Sequence, residues 1–282
     1  MRSLIIILII ALLIVGVVYL ASSSSIKNEP EGNGLQPMQT TRGQDHHTNR
    51  QASYLPNDSI EHPEWPEVES NQTVVSHTGY SLVYDETHEQ ARWVAYELTR
   101  EETGNDVERS NHFIEDPQIS TRSATNADYA KSGYDRGHLA PASDMGWSTT
   151  SMEESFYFSN MSPQNPSFNR GIWKKLETQV RNWANEHERV YVVTGPILSE
   201  GLPTIGQNEV SVPKYYYKVI LDNREPGMHG IGFILPNEPS KLPLSAFAVT
   251  IDSVEKVTGL DFFPALPQGS QLLEGENCFE CW

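Results

Sequence analysis

Residues Ser132 to Pro141 read Ser-Gly-Tyr-Asp-Arg-Gly-His-Leu-Ala-Pro, which sets a carboxylate (Asp135), a guanidinium (Arg136), a glycine (Gly137) and an imidazole (His138) in consecutive positions. Alone, the run says little, because a histidine beside an arginine is most often a structural residue. A second stretch changes its weight. Asn160 to Glu177 reads Asn-Met-Ser-Pro-Gln-Asn-Pro-Ser-Phe-Asn-Arg-Gly-Ile-Trp-Lys-Lys-Leu-Glu, gathering amide, guanidinium and carboxylate groups at a helix start about 30 residues after His138. Ile172, Trp173, Leu176, Val180, Trp183 and Ala184 recur at helical spacing, predicting a helix from about Asn169 to His187.

Outward from these stretches, Tyr80–Asp85, Trp93–Thr99, Val190–Thr194, Tyr215–Leu221, Ile231–Leu235 and Ala246–Ile251 are short runs of aromatic and β-branched residues, each expected as a strand. Strands in close succession around few helices predict an α+β fold, not a regular βαβ alternation. The globular part is expected over residues 76–268, long enough for one substantial core.

The chain has 282 residues and a formal net charge of -17. Ordinary glycine and proline contents and 38% hydrophobic residues exclude collagen, a simple coiled coil and a wholly disordered acidic chain. Acidity also argues at first sight against a polyanion partner, since nucleic-acid binders replace phosphate counterions with lysine and arginine.

Signature and helix together resemble the DNA/RNA non-specific endonucleases, the ββα-metal (His-Me finger) group that includes endonuclease G-like and secreted bacterial nucleases. The resemblance covers most of residues 79 to 267, from Gly79-Tyr-Ser-Leu through Trp93-Val-Ala-Tyr and Phe168-Asn-Arg-Gly-Ile-Trp to Thr194-Gly-Pro-Ile. It implies a hairpin-plus-helix unit on a mixed or antiparallel central sheet flanked by helices. The implied activity is hydrolysis of DNA and RNA, single- or double-stranded, with little sequence preference.

The residue types suit that chemistry. Imidazole, with an ordinary pKa of about 6.5, accepts a proton from water near neutral pH, so His138 is the expected general base. The resemblance puts one direct protein ligand of a hard divalent cation, Mg2+ or another such as Mn2+, at Asn169, with water and phosphate completing the shell. The same position would also suit a helix N-cap. Glu177 matches the helix glutamate that holds the metal's water shell; its bland alternative is a solvated glutamate pairing with Arg181 one turn on. Arg136 and Arg109 are expected on the scissile phosphate and its transition-state charge, where planar bidentate donors act best, and Arg181 matches a further helix arginine. A surface salt bridge is the alternative for Arg109 and Arg181. Asp135 is expected to orient the hairpin or an arginine, Gly137 to permit a bulge that aims His138 inward, and Asn160 to support the site without catalysing.

Two other readings follow from the same residues: a nuclease fold that has lost turnover and serves as a binding module, and a phosphodiesterase of narrower substrate range. His138, Asn169, Arg136 and Glu177 are all present, which disfavours the first.

Outside the globular part, Leu4 to Ala21 is an unbroken apolar run of 18 residues with Arg2 ahead of it. Residues 1–21 are therefore expected as a membrane anchor with the body exported, in a bacterial envelope or periplasm, or as a signal peptide whose cleavage secretes it. Residues 22–75 have no sustained apolar period and are expected as a flexible tether, in which His46-His47 is solvated. In the tail, 269–282, Cys278 and Cys281 have CxxC spacing without a second pair, and an exported location permits a disulfide between them. The oligomeric state stays open, a homodimer included. Residues 76–282 carry 29 acidic against 16 basic residues, so acidity belongs to the body too. A local basic cleft is expected, drawing on Arg109, Arg122, Lys131, Arg136, Arg170, Lys174, Lys175 and Arg181.

Overall fold

The structure is a computed structural model that describes residues 61–104, 106–121, 123–223, 228–266 and 279–282. The apolar N-terminal run, His46-His47, Arg122, Cys278 and the side chain of Cys281 lie outside the described residues. Among those described, no helix is long and apolar enough to cross a membrane.

The chain runs β1 (Val74–Ser76), β2 (Ser81–Asp85), β3 (Gln90–Thr99), α1 (Asn126–Tyr129), β4 (Asp135–His138), α2 (Thr149–Glu154), β5 (Met161–Gln164), α3 (Pro166–Phe168), α4 (Lys174–His187), β6 (Arg189–Pro196), β7 (Thr204–Ile205), β8 (Val210–Ser211), β9 (Tyr215–Asp222), β10 (His229–Pro236), β11 (Ala248–Val249) and α5 (Ile251–Thr258). Seven strands form one sheet in the order β1-β2-β3-β6-β9-β10-β11, every neighbour antiparallel. β4 and β5 pair separately as a two-stranded unit.

The central strands read as continuous apolar runs because both faces of the sheet are covered. Alternate side chains go to opposite faces. Val190, Val192, Tyr216, Ile220 and Phe233 pack with Phe168, Trp173, Val180 and Trp183 of the helical layer. Tyr191, Val193, Tyr217 and Val219 pack on the other face with Ile251, Val254 and Phe262.

Three expectations change. Trp65, Val68 and Val74 pack against the second core, and β1 spans Ser76, so the globular part begins ahead of the expected boundary at 76. Phe279 and Trp282 pack on the helix-side core, which brings the end of the expected tail onto the domain. Ala246–Ile251 is a strand only at Ala248–Val249. Leu244–Phe247 makes a 3-10 turn after Pro243, and Thr250 caps α5 by accepting from the Ser253 amide, so the backbone turns helical at Ile251.

Candidate active site

β4 and β5 pair in unbroken register, Asp135 with Gln164, Arg136 with Pro163, Gly137 with Ser162 and His138 with Met161. The expected bulge at Gly137 is therefore absent. Glycine is required there for another reason: the Gln164 side chain lies where a Cβ would project.

His138, at the inner end of β4, is 8% exposed. Its ring meets Phe156 edge-on at 4.8 Å and Phe113 at 5.9 Å, and its Nε2 is buried without a hydrogen-bond partner. The same two rings carry the arginines, Arg136 at 4.2 Å over Phe113 and Arg109 at 4.9 Å over Phe156. Burial first, then the two positive charges, push the imidazole pKa down to about 3, so His138 is neutral and able to accept a proton. Arg136 is further fixed to Asn126 Oδ1 at 2.5 Å, and Arg109 donates to Asn111.

Behind this strand, Asn160 is fully buried and closes the loop after His138. Its Oδ1 accepts from the Ala140 amide and its Nδ2 donates to the Ala140 and Ser155 carbonyls. All of its side-chain hydrogen bonds go to backbone atoms.

The helix that follows is not capped as expected. Asn165 is the N-cap of α3, accepting from the Ser167 amide, with Pro166 at the first helical position. Asn169 instead starts a π-helical turn, Asn169–Trp173, in which Gly171 departs from helical geometry before α4 resumes at Lys174. Such turns rotate a side chain off the regular helical path. Asn169 Nδ2 donates to Asp135 Oδ2 at 2.9 Å, which turns its amide oxygen away from that carboxylate. Asp135 also receives Arg170 in a two-point contact, so it orients both an arginine and Asn169.

Glu177 and Arg181 are both on α4, but the pairing that was the alternative reading of Glu177 is not made. Arg181 donates to Asp144 Oδ1 at 2.6 Å and to Thr178 Oγ1, and Tyr96 donates to the other Asp144 oxygen at 2.9 Å. Arg181 is thus committed to a carboxylate, not held free for phosphate. Burial pushes the Asp144 carboxyl up, and those two donors oppose it. Glu177 accepts no hydrogen bond among the described residues. Burial raises its pKa, opposed chiefly by Lys218.

Lys218, Asp144, Phe113 and Phe156 escaped the sequence reading. Lys218 had a signal, being the one charge in the apolar run Tyr215–Leu221 at a position that β alternation turns inward. The other three had none, since nothing in their spacing marks them. Of the expected basic cleft, Arg109 and Arg136 flank His138, whereas Arg170 and Arg181 are paired to carboxylates. A cavity of about 350 Å3 opens beside the hairpin, lined by Phe113, Asn126, Tyr129, Ala130, Tyr134, Asp135, Arg136 and Asn169.

The residues fit a hard divalent ion that keeps most of its water. Among the described residues no group of three His, Cys, Asp or Glu could hold a metal, whereas one unengaged amide oxygen stands on the π-helical turn and one unengaged carboxylate on the first turn of α4.

A two-stranded hairpin followed by a helix, set beside an antiparallel sheet, is the ββα-metal arrangement, and the class it defines is the ββα-metal nuclease fold. The chain belongs to the DNA/RNA non-specific endonuclease family, whose pattern matches residues 64–269. It is 38% identical over 221 residues to the mitochondrial nuclease EXOG of Danio rerio, covering 72% of this chain and 64% of that protein. It is 37% identical to mitochondrial endonuclease G of Bos taurus, with 67% and 68% covered, and 40% identical to nuclease C1 of Cunninghamella echinulata var. echinulata, with 66% and 81% covered. The chain thus spans just under two thirds of the first relative. A crystal structure of an endonuclease G–inhibitor complex superposes with a TM-score of 0.68 at 35% identity, covering 76% of this chain and 94% of that one.

Proposed function

We propose that this chain hydrolyses phosphodiester bonds of DNA and RNA with little sequence preference, using a divalent cation, Mg2+ or Mn2+, and His138 as general base. The observation that carries the reading is the setting of His138: neutral, unpartnered at Nε2, and held between Arg109 and Arg136. A neutral imidazole takes a proton from the attacking water, while the flanking guanidiniums offset charge growing on the phosphate oxygens. The Phe113 and Phe156 rings fix both arginines and exclude bulk water from the imidazole. Asp135 holds Asn169 with its amide oxygen available, and Glu177 supplies a carboxylate for the water shell of the ion. When bound, the cation supplies Lewis-acid charge at the phosphate and at the leaving 3′ oxygen.

The N-terminal apolar run makes the enzyme a membrane-tethered, exported one in this reading. With a net charge of -17, long-range attraction to nucleic acid is poor, and binding rests on the local arginines and the ion. The test compares purified protein with plasmid DNA, single strands, RNA and small phosphodiesters, each with Mg2+, with EDTA and with metal restored. Cleavage of DNA and RNA that EDTA abolishes and that folded His138→Ala lacks is the expected result. Intact DNA and RNA under these conditions overturn it, and turnover of small diesters alone points to a narrower phosphodiesterase.

A further inference from the structure

Asn126 opens α1, a four-residue helix too short to hold its own shape. Its neighbours hold it instead. Asp128 reaches back to the start of the helix, its Oδ2 accepting from the Thr125 amide and hydroxyl, both at 2.8 Å. The same buried carboxylate accepts from the Asn208 amide at 3.0 Å and from its side chain at 2.8 Å, which ties α1 to the β7–β8 connection.

From that fixed base the exposed Asn126 side chain makes two contacts with the candidate active site. Its Oδ1 accepts from Arg136 Nη1 at 2.5 Å, and its Nδ2 donates to the Phe113 carbonyl at 3.1 Å. Phe113 is the ring over which the Arg136 guanidinium lies, at 4.2 Å. One amide therefore holds both the arginine and the platform beneath it. All three residues line the cavity beside the hairpin, as does Asn169.

The chemistry of this partner matters as much as its place. Arginine pairs most strongly with carboxylates, and two stand near it in sequence, Asp128 and Asp135. Both are engaged elsewhere, Asp128 by Thr125 and Asn208, Asp135 by Arg170 and Asn169. Among the described residues Arg136 makes no ion pair, and the contact with Asn126 is the one side-chain hydrogen bond it forms. A neutral amide fixes the guanidinium and leaves its full charge and its remaining N–H donors for an anion.

We propose that Asn126 is a positioning residue: its neutral side chain locks Arg136 onto Phe113 in the orientation that meets the scissile phosphate, without cancelling the charge of the arginine. The inference rests on the proposed nuclease function, and its first test is independent of that function.

The full chain is labelled with 15N in arginine, and the Arg136 Nε–Hε signal, identified by its loss in Arg136→Ala, is followed by 15N relaxation without nucleic acid. Asn126 is exposed and α1 is anchored through Asp128, so substitutions at Asn126 keep the fold. Wild type and Asn126→Asp are expected to show a rigid Arg136 side chain, and Asn126→Ala a mobile one. Equal order in wild type and Asn126→Ala overturns the proposal. Cleavage of single-stranded DNA and of RNA then reads the chemistry. Asn126→Ala is expected to lower kcat about 10- to 100-fold with KM little changed, the pattern for displacing a group that acts in the transition state. In an Arg136→Ala background the same change is expected to cost nothing further, whereas a merely structural role costs the same in both. Asn126→Asp is expected to lower kcat at least as far although Arg136 stays ordered, because a carboxylate holds the guanidinium and cancels its charge. Wild-type kcat in either variant, or an equal loss with and without Arg136, overturns the proposal. A wild-type chain that cuts neither DNA nor RNA refutes the proposed function, while a mobile Arg136 in Asn126→Ala still sustains the positioning.

Discussion

Asn169 donates its amide nitrogen to Asp135 Oδ2 at 2.9 Å, tying the start of the π-helical turn to the first residue of β4. An amide held by its nitrogen presents its oxygen on the opposite side, so the contact sets which atom Asn169 offers. Asp135→Ala should therefore weaken activation by Mg2+ by about 10- to 100-fold, the usual cost of losing a group that orients a ligand. Fold should persist, because the salt bridge to Arg170 that this change also breaks is solvent-exposed on the arginine side. Mg2+ titrations of DNA cleavage, with a thermal melt of each protein, check this. An Asp135→Ala enzyme with wild-type Mg2+ dependence would remove the basis for placing the ion at Asn169.

His138 should reveal itself in stability as well as in turnover. Its pKa is about 3 in the folded protein against an ordinary 6.5, so between those values the unfolded chain binds a proton that the folded chain refuses. Stability from this residue is present above about pH 6.5 and is lost as pH falls toward 3. From pH 7 to 5 the loss amounts to about 2 kcal/mol at most. His138→Ala should show a shallower decline over that range in urea denaturation, together with a loss of turnover of roughly 10^2- to 10^4-fold. A variant whose stability falls with pH as steeply as wild type would show that His138 titrates normally.

The sheet was legible in the sequence because its strands are buried on both faces, and Val190–Thr194, Tyr215–Leu221 and Ile231–Leu235 announce that by composition. Ala246–Ile251 misled, since its apolar content looks the same whether a chain pairs for two residues or starts a helix. The signal that decides there is Thr250 followed by Ser253, a cap and not a ladder. In the site, residues within the two dense stretches were legible. The Phe113 and Phe156 rings and Asp144 were not, because their roles come from contacts across the fold. Phe156 meets Arg109 across 47 positions of chain, and Asp144 meets Arg181 across 37. The Gly137 bulge was a wrong inference from a right residue: the glycine makes room for a side chain on the facing strand.

The last residues of the chain should add stability without touching catalysis. Trp282 packs on Trp183 at 4.8 Å and on His187 at 5.4 Å, and Phe279 meets Trp183 edge-on at 5.8 Å. Removing residues 279–282 uncovers Trp183 and is expected to cost about 2–4 kcal/mol, the scale for burying two aromatic side chains. Urea denaturation measures that cost. The turnover number of the folded fraction should match the full chain, because Trp183 lies six residues beyond Glu177 on α4. Unchanged stability in the truncated protein would mean that the segment does not dock in solution.

Gly137 pairs with Ser162, and the side chain of Gln164, two residues along the same facing strand, reaches diagonally into the space a methyl on Gly137 would occupy. Gln164 is fully buried, so its side chain cannot swing aside without displacing the packing around it. Gly137→Ala should therefore destabilise by about 1–3 kcal/mol, as overpacking does. It should also lower turnover, since the next residue is His138 and the reacting geometry tolerates little displacement. If the clash is the cause, Gln164→Ala in the same chain relieves it, and the double variant is more stable and more active than Gly137→Ala alone. The paired measurement separates steric fit from backbone freedom. Were glycine needed here for its conformation, truncating Gln164 would rescue neither stability nor turnover, and the steric role of this glycine would be refuted.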